Sequence, residues 1–133
     1  MAVSTSRISD ISLVVIPTTD QDRSIVFYVE KLGFEKRTDT PFGNGSRWVE
    51  VYPPNGTTGI ALAPPPPGQA ESQGDRQTGI VLATDDIDAT HGELQSGGVD
   101  VDAEVSRMGD PVPPMFWFRD PEGYSLLIVQ QQR

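Results

Sequence analysis

A chain of 133 residues, 36% hydrophobic and 22% charged, suits one soluble domain or two half-domains with a real core. Its net charge of −9 argues against nucleic acid or an anionic membrane surface as partner. The absence of cysteine excludes a disulfide framework, a thiolate nucleophile and Cys-ligated zinc.

No apolar run approaches the roughly 18–20 residues of a membrane helix, so no membrane partner is expected. The stretch from Met1 to Arg7 lacks a charged head followed by an apolar core. A cytoplasmic location is therefore expected.

The β-branched run from Ile11 to Ile16 predicts a buried strand ended by Pro17. Asp20 can cap a helix through Leu32, with Ile25, Phe27, Tyr28 and Leu32 as its apolar members and Gly33 as its stop. A strand from Phe34 to Thr38 follows, then a loop over Pro41–Gly45, then strands near Arg47–Tyr52 and Thr58–Ala63. Pro64 to Gln77 reads as a connection between halves.

The second half repeats the order. A strand spans Gly79–Thr84, Asp85-Asp86 caps a helix ending near Ser96, and Gly97-Gly98 closes it. Strands follow near Val101–Ser106, Met115–Phe118 and Tyr124–Val129, the last two joined by the turn Asp120-Pro121-Glu122-Gly123. The turn glycines Gly56 and Gly123 stand 67 positions apart, and the caps Asp20 and Asp86 stand 66 apart. Two junctions at nearly one offset predict a tandem βαβββ arrangement in the α+β class: module one about 8–63, a linker about 64–77, module two about 78–130. One helix for four strands cannot cover both faces of a sheet, so one face should line something.

Three pieces then carry a family resemblance. They are Asp20 with Phe27-Tyr28 and Leu32-Gly33-Phe34; Asp85-Asp86-Ile87-Asp88-Ala89 with Leu94 and Gly98-Val99; and Phe118-Arg119-Asp120-Pro121-Glu122-Gly123. In order and spacing the chain resembles the vicinal-oxygen-chelate superfamily of glyoxalases, extradiol dioxygenases and bleomycin-resistance proteins. The resemblance implies one domain whose two modules curl a mixed sheet around a cleft, commonly in a homodimer. It also implies metal-ligand positions on the first and last strand of each module. Counted from the helix caps and turn glycines, these fall on Leu13, Gly79, Leu127 and Ile60. None of the four offers a donor atom to a divalent ion. No metal, and no other cofactor, is expected.

Strand alternation separates two faces. Val49 and Val51, with their counterparts Phe116 and Phe118, are apolar and suit the layer beneath the helices. Trp48, Glu50 and Tyr52, with Met115, Trp117 and Arg119, fall on the other face and suit a ligand-binding wall. Leu13, Val15, Gly79, Val81 and Leu127 should join it, with Phe42 and Met108 at the rim. The alternative is that the two tryptophans are packing residues, against which both fall on the same predicted face in equivalent halves. Glu50 could orient a ligand's hydroxyl or amine, act as a base, or pair with Arg47 or Arg119; Arg119 itself reads as structural. His91, the single histidine, reads as helix-surface or partly packed, and no hydrolytic triad is available.

These readings point to metal-free sequestration of a hydrophobic, aromatic small molecule of the antibiotic or natural-product kind, with no catalytic residue. The alternative is a glyoxalase-like or dioxygenase-like enzyme, a lyase or isomerase using Glu50.

Overall fold

Two helix caps and two tight turns divide the chain as the repeat predicts. The computed structural model describes residues 6–41, 45–65 and 76–131. Module one comprises β1 (Leu13–Pro17), α1 (Gln21–Val26), a π-helical turn (Phe27–Lys31), β2 (Glu35–Pro41), β3 (Arg47–Tyr52) and β4 (Gly59–Ala63). Module two comprises β5 (Arg76–Thr84), α2 (Ile87–Ser96), β6 (Asp100–Val101), β7 (Met115–Arg119) and β8 (Tyr124–Gln130).

The fold is α+β. Each module is one four-stranded mixed sheet, ordered β1-β4-β3-β2 and β5-β8-β7-β6. β1 runs parallel to β4 and β5 parallel to β8, while the remaining pairs are antiparallel. The sheets stay open, leaving β1 and β5 as edge strands.

The caps form as their sequences require. Asp20 accepts from the backbone N–H of Arg23, and Asp86 from that of Ala89, each at 3.0 Å. Behind each cap a hydroxyl pair repeats: Thr18 with Ser24 and Thr84 with Thr90, both at 2.7 Å.

Two elements depart from expectation. The first helix changes to π geometry at Phe27, where the Leu32 N–H reaches back to the Phe27 carbonyl. The strand expected over Val101–Ser106 pairs only at Asp100–Val101, with an isolated bridge from Ser106 to Met115. Between them Asp102 takes over, its side chain accepting from the Trp117 N–H at 3.1 Å. Most of the expected linker lies outside the described residues.

One hydrophobic core spans both modules. Val49, Val51, Phe116 and Phe118 are at most 1% exposed, as the alternation predicts. Each such side chain contributes roughly 1.5–3 kcal/mol by leaving water. Phe27 of module one stacks on Phe118 of module two with ring centroids 6.1 Å apart.

A polar clasp completes the junction. Buried Asp120 accepts from Tyr28 Oη at 2.8 Å and from the N–H groups of Glu122 and Tyr124. Glu122 reaches the start of α1, accepting from the Thr19 N–H and hydroxyl and pairing with Arg23. Burial raises the Asp120 carboxyl above the usual range despite its hydrogen bonds, and burial with the Asp120 charge raises Tyr28. Burial also pushes Glu122 up, but the donors of Thr19 and Arg23 outweigh it and hold the carboxyl below its usual range.

Candidate functional site

The face opposite the core is built of cross-strand rows. In module one Val15 pairs with Ala61, Ala61 with Glu50, and Glu50 with Thr38. In module two Val81 pairs with Leu127 and Leu127 with Trp117. The rows correspond position by position, so Glu50 is the module-one counterpart of Trp117. Val15 and Val81, at the ends of the rows, are each 56% exposed.

The pairing corrects one expectation. Leu127 corresponds to Ala61, not Ile60, which points into the core at 3% exposure. Val51 and its partner Ile60 are nine positions apart, but the equivalent Phe118 and Leu126 are eight apart, so the β3–β4 connection is one residue longer between paired positions. Counting four residues on from Gly56 therefore falls one short. A side chain one place along a strand faces the opposite side of the sheet.

Around Glu50 three expected residues are bonded together. Trp48 Nε1–H donates to Glu50 Oε2 at 2.7 Å, and the Tyr52 hydroxyl donates to Oε1 at 2.8 Å. The i, i+2, i+4 spacing on one strand puts all three on one face. The bond to Glu50, more than desolvation, raises the Tyr52 phenol above its ordinary pKa.

Tyr52 is itself held on both sides. Arg37 lies over its ring at 4.4 Å, and its guanidinium donates to the carbonyls of Pro53, Pro54 and Gly56. Gly59 leaves room for the ring, since a Cβ there would lie 2.7 Å from it. The rim arginines pair elsewhere: Arg47 with Asp22 and Asp39, Arg119 with Asp100 and Asp102.

The other expected site residues are dispersed. Trp117 and Leu127 are half-buried neighbours in the module-two row, and Met115 lies one row away beside Val129. Leu13 begins β1 opposite Gly59. Met108 is 71% exposed on the loop before β7. Phe42 lies outside the described residues. His91 packs edge-on against Phe116, with Nε2 at 2.7 Å from the Asp102 carbonyl.

A metal does not fit this face. The counterpart positions carry Leu13, Gly79, Ala61 and Leu127. Gly79 has φ +76° within a register irregularity of β5, a conformation that a ligating side chain would strain. Among the described residues no three His, Cys, Asp or Glu gather as a metal site. No described helix is long and apolar enough to cross a membrane.

A groove of about 610 Å³ opens beside the two edge strands, touching Val14 and Val15 on one side and Gly79 to Ala83 on the other. It does not reach Trp48, Glu50 or Trp117.

The clasp of Tyr28, Asp120 and Glu122 holds two carboxyls displaced in opposite directions from their usual range, yet the sequence Asp-Pro-Glu-Gly reads only as a turn. Two acidic residues flanking a turn proline were the available signal.

Comparison with known proteins bears on this geometry. Residues 10–128 match the Glyoxalase/Bleomycin resistance protein/Dioxygenase superfamily. YetH, an uncharacterised protein of Bacillus subtilis strain 168, is 30% identical over 125 residues, covering 92% of this chain and 99% of its own. TnmS3, an antibiotic binding protein from Streptomyces sp. CB03234, superposes with a TM-score of 0.80 at 32% identity, covering 96% of this chain and 99% of TnmS3. A superfamily member from Sphaerobacter thermophilus gives a TM-score of 0.84 at 33% identity, covering 93% and 98%. The fold, the repeated caps and a match across nearly the whole chain place this protein in the glyoxalase/bleomycin resistance/dioxygenase superfamily.

Proposed function

We propose that this protein binds and sequesters a hydrophobic, aromatic small molecule without a metal and without altering it. One observation carries the reading. Where the resemblance places metal ligands, this chain carries Leu13, Gly79, Ala61 and Leu127, with Trp117 beside Leu127. Hydrocarbon and indole surfaces favour a flat apolar guest, each aromatic contact adding roughly 0.5–1.5 kcal/mol beyond area burial. The likeness to TnmS3, an antibiotic binding protein, supports a guest of antibiotic or natural-product type.

We also propose that two copies associate through the side bearing the edge strands. Val15 and Val81 leave apolar surface there, and Ile11 is 67% exposed nearby.

The test is tryptophan fluorescence of the wild type, Trp48→Phe and Trp117→Phe against a panel of aromatic natural products, with and without EDTA. Saturable quenching unaffected by EDTA is expected, with each compound recovered unchanged by mass spectrometry. Quenching abolished by EDTA, or a recovered compound of altered mass, overturns the proposal in favour of an enzyme.

A further inference from the structure

We infer that Glu50 is an anchor for a positively charged amine, so that the sequestered guest is a cationic aromatic compound. The inference rests on the sequestration reading and adds the chemical class of the guest.

Three features of the structure support it. First, both carboxylate oxygens accept from neutral groups, the Trp48 indole N–H and the Tyr52 hydroxyl, so the groups that fix the side chain carry no opposite charge. Second, among the described residues no Lys, Arg or His forms an ion pair with Glu50, although Arg47, Arg119 and Arg37 stand on its own strand or sheet or on the equivalent strand. Arg47 is engaged by Asp22 and Asp39, Arg119 by Asp100 and Asp102, and Arg37 by Glu35 and three carbonyls. Third, a carboxylate accepts about four hydrogen bonds, so two positions remain beyond those filled by Trp48 and Tyr52.

The surroundings make this acceptor rigid. Tyr52 is clamped between Arg37 and the space left by Gly59, and it transmits that restraint to Glu50. A pre-oriented acceptor loses little freedom on binding. In the corresponding place module two presents Trp117, which offers a flat apolar surface and no charge. An aromatic body with an ammonium group matches both chemistries.

The experiment compares three probes with one tricyclic body: anthracenylmethylamine, anthracenylmethanol and anthracenecarboxylate, titrated by tryptophan quenching into wild type and Glu50→Gln. Glutamine keeps one acceptor for Trp48 and an amide for Tyr52, and circular dichroism checks the fold. Wild type should bind the amine about five- to tenfold more tightly than the alcohol, with the carboxylate weakest. In Glu50→Gln the preference for the amine over the alcohol should vanish. Equal binding of amine and alcohol by wild type, or a preference that survives Glu50→Gln, overturns the inference while leaving sequestration standing. Absence of saturable binding for all three counts against both.

Discussion

The Tyr28 hydroxyl donates to Asp120 across 92 positions of sequence, at 2.8 Å and out of reach of solvent. The bond joins the π-helical turn of one module to the β7–β8 turn of the other.

Tyr28→Phe should therefore cost more than a surface hydroxyl would. The ring remains in place, but a buried carboxylate loses one of three donors. A loss of about 1.5–3 kcal/mol is expected, read as a lower midpoint in urea at an unchanged slope. A change under 0.5 kcal/mol would mean that the clasp does not hold the modules together.

Glu122→Gln should lower stability at neutral pH by about 1–3 kcal/mol, chiefly through the Thr19 bonds, because the Arg23 side chain is half exposed. The sign follows from the depressed carboxyl. Its contribution is complete above the ordinary glutamate value of 4.5 and fades as pH falls through the lower folded value. Asp120 runs oppositely: its raised carboxyl favours the fold at low pH and loses that advantage as pH rises from 3.8 through its folded value. Urea midpoints measured from pH 7 to pH 3 should show wild type and Glu122→Gln converging below about 4.5.

Gly59→Ala is expected to disturb Tyr52 without touching the core. The added methyl would sit 2.7 Å from a ring that Arg37 and Glu50 hold in place. A cost of about 1–3 kcal/mol is predicted. A crystal structure of the variant should show the Tyr52–Glu50 bond broken; an unchanged Tyr52 would refute the clamp.

Val81→Asp tests the proposed association. At 56% exposure the substitution should change monomer stability by less than about 0.5 kcal/mol. Light scattering after gel filtration should show a dimeric wild type and a monomeric variant. A wild type that is itself monomeric rules out the dimer.

Much of the fold was legible because its signals are local. Asp20 and Asp86 cap helices where their sequences say, and Val49, Val51, Phe116 and Phe118 alternate inward as their strands require. The α+β class and the superfamily follow from those repeats. What stayed hidden depends on pairing. That Ala61, not Ile60, stands beside Glu50 is decided by a turn one residue longer than its counterpart, which alternation within a single strand does not reveal. That Glu50 bonds to Trp48 and Tyr52, and not to an arginine, is settled by rotamers and by competing carboxylates at Asp39 and Asp102. That Trp48 and Trp117 lie off the core face was readable from alternation; what such a face would suit was not, because apolar walls fit many molecules.

The clasp also sets an order of events during synthesis. Translation proceeds from the N-terminal side, so α1 leaves the ribosome about a hundred residues before Asp120 and Glu122 exist. Until then Tyr28 has no acceptor, the Thr19 N–H lacks its carboxylate, and Phe27 has no Phe118 to stack upon. A six-residue helix is too short to persist alone in water. The nascent first module should therefore stay loosely formed, and the last hairpin to be made is the one that fixes the first helix.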